Sequence, residues 1–114
     1  MSAAHQHLRR LLAGGLIEGR RPRWTHALWL MKTVSEEQSP ESEAVLREVA
    51  LFDGKFLLDE EAGLPHSMSP EDMLRSIAAQ TLAGWNRRRH RDVIRHVAKT
   101  TGPGLAAAIV RRWA

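Results

Sequence analysis

Apolar residues along this chain recur every three to four positions, the period of a helix with one buried face. Leu8, Leu11 and Leu12 mark a first helix over 3–13, which Gly14 and Gly15 end. A basic connector follows at Arg20, Arg21, Pro22 and Arg23, with Pro22 suited to the first turn of the next helix. Trp24, Leu28 and Met31, spaced i, i+4, i+7, place that second helix over 23–34 and leave Trp29 off its stripe. Ser39, Pro40 and Glu41 form a helix start. Serine caps, proline presets φ, and the carboxylate complements the positive helix end. The third helix runs to about Phe52, turns Val45, Val49 and Phe52 inward, and stops at Asp53 and Gly54.

The stretch 55–67 reads as a turn or a scrap of helix, then a loop. Ser69, Pro70, Glu71 and Asp72 repeat the start pattern, with Asp72 placed like the acid of a capping box. A fourth helix over 70–83 is expected to bury Met73, Leu74, Ile77, Ala78, Thr81 and Leu82. Gly84 is expected to break it, with Asn86 capping a fifth helix over 87–99. Thr100, Thr101, Gly102 and Pro103 close the fifth helix and lead into a sixth over 104–113. No β-branched alternation interrupts this pattern. The expectation is an all-α fold, a compact bundle of five to six short helices in a single domain, 1–114.

With 114 residues, 43% hydrophobic and 26% charged, the chain suits one folded domain with a modest core. The absence of cysteine excludes disulfides and thiolate metal sites and fits a reducing cytoplasm, so a cytoplasmic location is expected. No apolar run approaches the ~18–20 residues of a membrane span. Arg9 and Arg10 interrupt the one N-terminal leucine cluster, so neither a membrane segment nor a secretory signal is expected.

Charge changes the picture more than composition does. The net charge is only +4, yet residues 1–34 carry six bases and one acid, residues 35–74 eleven acids and two bases, and residues 75–114 nine bases and one acid. Arginines outnumber lysines fourteen to three. Guanidinium forks match phosphate bidentately, although a coding bias toward arginine would give the same ratio. At 100° per residue, Arg88, Arg91, Arg95 and Lys99 of the fifth helix fall within about 80° of each other. His90, Val93, Ile94 and Val97 fall on the other side, and Arg87 and Arg89 flank the stripe. Like charges this close repel, and a polyanion removes that repulsion while shedding its own counterions. The blander reading is a solvated face, or one that pairs with the chain's own acidic middle.

Basic residues also interleave with tryptophan, at Arg23-Trp24, at Trp85-Asn86-Arg87, and at Arg111, Arg112 and Trp113. Trp24 and Trp85 lie on apolar stripes and are expected in the core, which leaves Trp29 as the better interface candidate. The candidate nucleic-acid-binding residues are Arg87, Arg88, Arg91, Arg95, Lys99, Arg111, Arg112, Arg20, Arg21 and Arg23. The six histidines form no ligand pattern, and Gly14-Gly15 lacks the Lys-Ser/Thr ending of a phosphate loop. No base and orienter surround a nucleophile. Hence no catalytic residue, metal, cofactor or small-molecule substrate is expected, and the chain is not read as an enzyme.

In size, charge layout and helix content the chain resembles the small helical subunits of multi-protein CRISPR effector complexes, with the 87–99 helix and Arg111, Arg112 and Trp113 as the arginine-rich face. That resemblance implies a non-enzymatic, sequence-independent backbone-binding subunit of an RNA-guided ribonucleoprotein. Its acidic 36–72 segment would then face basic neighbours, including further copies of the chain. Two alternatives stand beside it. The stretch 69–99 has the spacing of a helix–turn–helix DNA-binding regulator, of plasmid or phage type, though its second helix lacks the Gln and Asn that read base edges. A protein-interaction adaptor or inhibitor is the other.

Overall fold

Serines begin three of the helices, two of them, Ser39 and Ser69, as the sequence predicts. The computed structural model describes residues 2–17, 19–56 and 69–100. The expected helix at 104–113, with Arg111, Arg112 and Trp113, lies outside the described residues, as does most of the stretch 55–67. Five helices are described: α1 (Ala3–Leu12), α2 (Trp24–Ser35), α3 (Pro40–Leu51), α4 (Pro70–Asn86) and α5 (Arg91–Thr100). Ser2, Ser39 and Ser69 each accept a hydrogen bond from the backbone N–H three residues on, capping α1, α3 and α4. The bundle is all-α. The exchange of backbone hydrogen bonds between Ile17 and Arg20 is the sole β-type pairing among the described residues.

The glycines after α1 end it by a specific mechanism. The Gly15 N–H bonds the Arg10 carbonyl at 2.8 Å and the Gly14 N–H bonds that of Leu11 at 3.1 Å, a Schellman pair, with Gly14 at φ 76°. Gly84 behaves differently. It stands exposed inside α4, which continues to Asn86. A mid-helix glycine costs roughly 1 kcal/mol relative to alanine. Burial of Leu82 and Ala83 just before it, with Trp85 half-buried after it, outweighs that cost. The fifth helix therefore begins later than expected. Residues 87–90 form a turn, and α5 starts at Arg91.

The buried face of α2 also differs from expectation. Trp24, Ala27, Leu30, Met31 and Val34 point inward, whereas Leu28 is 38% exposed. Wheel spacing fits either face. Packing against α1, α3 and α4 selects the face that carries Ala27 and Leu30. Pro22 is buried just before the N-cap Arg23 rather than inside the first turn.

Among the described helices, α3 touches each of the other four, while α5 packs on α3 and α4 alone. The core joins Leu8 and Leu11 of α1 to Val45, Leu46 and Val49 of α3, Leu74 and Leu82 of α4, and Val93, Ile94 and Val97 of α5. His5 is buried in the same interior. Its Nε2 lies 2.8 Å from the Ser42 hydroxyl, a polar tie between α1 and α3. None of the described helices is long and apolar enough to cross a membrane.

Candidate nucleic-acid interface

α5 is mounted by one narrow edge. Val93, Ile94 and Val97 are buried, and Arg91, Arg95 and Lys99 stand exposed on the outward side at i, i+4, i+8. Their side chains therefore share one ridge about 12 Å long, at 1.5 Å rise per residue. Arg88 is exposed too, but it belongs to the preceding turn, so its place on the helical wheel does not hold. Arg87 is exposed in the same turn and makes a contact of its own.

Asn86 shapes that turn. Its Oδ1 accepts from the Arg89 N–H at 3.1 Å, and its carbonyl accepts from the His90 N–H at 3.2 Å. Asn86 therefore does not cap the fifth helix as expected; it is the last residue of α4, its side chain holds the turn, and α5 starts five positions on, at Arg91.

The acidic middle of the chain does reach the basic ends, at particular residues. Glu48 of α3 accepts from Arg9 Nε at 3.0 Å, and Glu43 accepts from Arg89 Nε. Arg47, a base within the acidic segment, reaches the other way. Its Nη1 and Nη2 donate to the two carboxylate oxygens of Asp92, at 3.2 and 2.6 Å. These three contacts brace α1, the turn and α5 against α3. Arg88, Arg91, Arg95 and Lys99 make no ion pair among the described residues. Internal pairing thus accounts for Arg9 and Arg89 and leaves the ridge charged.

His90, 1% exposed, sits where these braces meet. Arg47 Nη1 lies 3.1 Å from its Nδ1. A guanidinium only donates, so Nδ1 must be the bare acceptor and the ring proton sits on Nε2, 3.5 Å from Glu43 Oε1. Burial lowers the His90 pKa below its ordinary 6.5, Glu43 opposes the shift, and Arg47 and Arg89 add to it. Asp92 is also held low, chiefly by its hydrogen bond from Arg47. Nothing in the sequence announces this network, whose members lie more than forty positions apart.

The sign of the pH effect follows. Below pH 6.5 the unfolded chain protonates this imidazole and the folded chain resists, so stability is fully present above 6.5 and declines as pH drops toward the depressed folded value. The melting temperature should therefore fall between pH 7.5 and 5.5. His90→Asn, which keeps an acceptor for Arg47 but cannot titrate, should show a smaller fall. Identical slopes for the two proteins would exclude the mechanism.

No family model, curated protein or solved structure matches the chain.

The interface therefore rests on its own geometry, which includes a second basic surface. Arg20, Arg21 and Arg23 are exposed and line a cleft of about 570 Å³ with Ile17, Pro22, Thr25, His26 and Trp29. None of the three pairs with a carboxylate among the described residues. The Ile17–Arg20 backbone pairing closes a tight turn at the start of this loop, with Gly19 at φ 78°. The first turn of α2 carries no acid and no side-chain cap. The structure does not merge this loop with the α5 ridge, since α5 touches neither α1 nor α2. The chain presents two cationic surfaces, with the α3–α4 layer between their helices.

Proposed function

We propose that the chain is a non-enzymatic module that binds nucleic-acid backbone without reading sequence, as a small subunit of a larger ribonucleoprotein. The observation that carries this reading is the ridge of Arg91, Arg95 and Lys99. It is exposed and free of carboxylate partners among the described residues, while Arg47 and Arg89 nearby are both paired. Three cations one helical turn apart are held close only at a cost, and phosphates along a strand relieve it. Arginine and lysine on such a ridge suit phosphate contacts, which carry no sequence information. The α5 surface also carries Asp92, His96 and Thr100, with no Gln or Asn for bidentate readout of adenine.

The narrower reading, a small subunit of a CRISPR-type RNA-guided complex, is supported by size, helix content and charge layout. Within that reading, contacts to neighbours through the acidic segment would fall to Glu36, Glu37, Glu41 and Asp53, which are exposed, because Glu43 and Glu48 face the chain's own arginines.

The test is fluorescence anisotropy with labelled DNA and RNA of mixed sequence, titrated at 50 and 200 mM salt. Three phosphate contacts on duplex DNA give a slope near −2.7, hence about fortyfold weaker binding across that range. Two unrelated sequences should bind within a few fold of each other. No binding at 50 mM, or an affinity indifferent to salt, would overturn the proposal.

A further inference from the structure

We propose that the α1–α2 edge is a stacking site for unpaired nucleotides, with Trp29 as its platform and Arg20, Arg21 and Arg23 as its phosphate contacts. This rests on the backbone-binding reading above and adds to it a preference for single strands.

Trp29 is 57% exposed, the most exposed of the large apolar side chains described. A single exposed apolar side chain needs no partner by itself, so what surrounds this indole decides its role. Trp29 also has aromatic neighbours. The His26 ring lies 6.2 Å from it, tilted by 45°, and the His7 ring lies 6.5 Å from His26, edge-on. A row of three rings thus runs from α1 across α2.

That row ends at the cleft holding the three arginines, which Trp29 and His26 both line. On its other side Trp29 borders an apolar groove with Leu28, Ile77, Lys32 and Glu36, whereas the cleft side offers three cations and, among the described residues, no lining carboxylate. Aromatic rings interleaved with cations suit a strand whose bases are out of the stack, since each base has a face for the indole and each nucleotide a phosphate for a guanidinium. A duplex offers only the phosphates, because its base faces are already covered. The backbone bracket between Ile17 and Arg20, with Ile17 buried in the core, fixes the start of the loop, so less order has to be gained on binding.

The test compares three probes of similar length: a single-stranded oligothymidylate, a strand of abasic sites with the same phosphates, and a duplex. The intact chain should bind the oligothymidylate more tightly than the abasic strand. Trp29→Ala should weaken oligothymidylate binding about 5- to 150-fold, the range for one lost stacking contact, and leave the abasic strand and duplex unchanged. Trp29→Phe should recover part of the loss, and circular dichroism should confirm that both variants melt near the parent. If the chain binds all three probes alike and Trp29→Ala changes nothing, the stacking site is refuted, the backbone reading survives, and Trp29 belongs to a protein contact instead. If the chain binds none of the probes at 50 mM salt, both readings fail.

Discussion

Replacing Arg91, Arg95 and Lys99 together with glutamate will remove the α5 ridge's contribution to duplex binding, the larger share of it, and leave the fold in place. All three side chains are exposed, and none is paired with a carboxylate among the described residues, so no internal contact is lost. Surface changes of this kind usually move stability by less than about 0.5 kcal/mol. Binding responds far more. Three attractive phosphate contacts become three repulsive ones, and charges of the wrong sign at an interface cost several kcal/mol, about a thousandfold or more in affinity. The readouts are anisotropy at 50 mM salt and a thermal melt on the same samples. A variant that binds within twofold of the parent, at an unchanged melting temperature, would place the binding surface elsewhere. The paired arginines give an internal control. Arg9→Ala should break the contact to Glu48 and barely affect binding.

Ile94→Ala should be the most damaging single substitution on α5. Ile94 is 1% exposed and lies in the core that joins α5 to α3 and α4. Truncating a buried isoleucine to alanine costs about 2–5 kcal/mol, from lost transfer energy and the cavity left behind. Domains of this size have about 5–15 kcal/mol in total. The urea midpoint should drop accordingly with an unchanged m-value. Binding should weaken only where the folded fraction falls, because the ridge itself is untouched. A loss below about 1 kcal/mol would show that α5 is not held by this aliphatic edge.

Much of this fold could be read from local chemistry. Ser39 before Pro40 and Ser69 before Pro70 are complete instructions within a few residues, and the caps form where those instructions stand. Gly14 and Gly15 end α1 through hydrogen bonds to residues just upstream. Gly84 carries the same residue type without that result, because its fate depends on Leu82, Ala83 and Trp85 packing against other helices. The inward face of α2 was ambiguous for a related reason. Leu28 and Leu30 are equal in hydrophobicity, and only the neighbouring helices choose between them.

The candidate site divides the same way. Periodicity alone placed Arg91, Arg95 and Lys99 opposite Val93, Ile94 and Val97, and predicted Trp29 off the packed stripe. Which arginines would be occupied by carboxylates was not legible. Glu43 and Arg89 lie 46 positions apart, and Arg47 and Asp92 lie 45 apart. Such pairs are decided by the approach of α3 to the turn and to α5, which no short-range pattern encodes.

The central position of α3 has a consequence for how this chain can change over time. A helix in contact with every other helix can alter few of its side chains without disturbing a neighbour. The outward faces of α5, which rests on two of the described helices, and of the loop leading into α2 are under no such obligation, since Arg91, Arg95, Lys99, Arg20, Arg21 and Arg23 are all exposed. Both cationic surfaces sit on those outlying pieces, so their affinity for a ligand can drift or be retuned by substitutions that the scaffold scarcely registers.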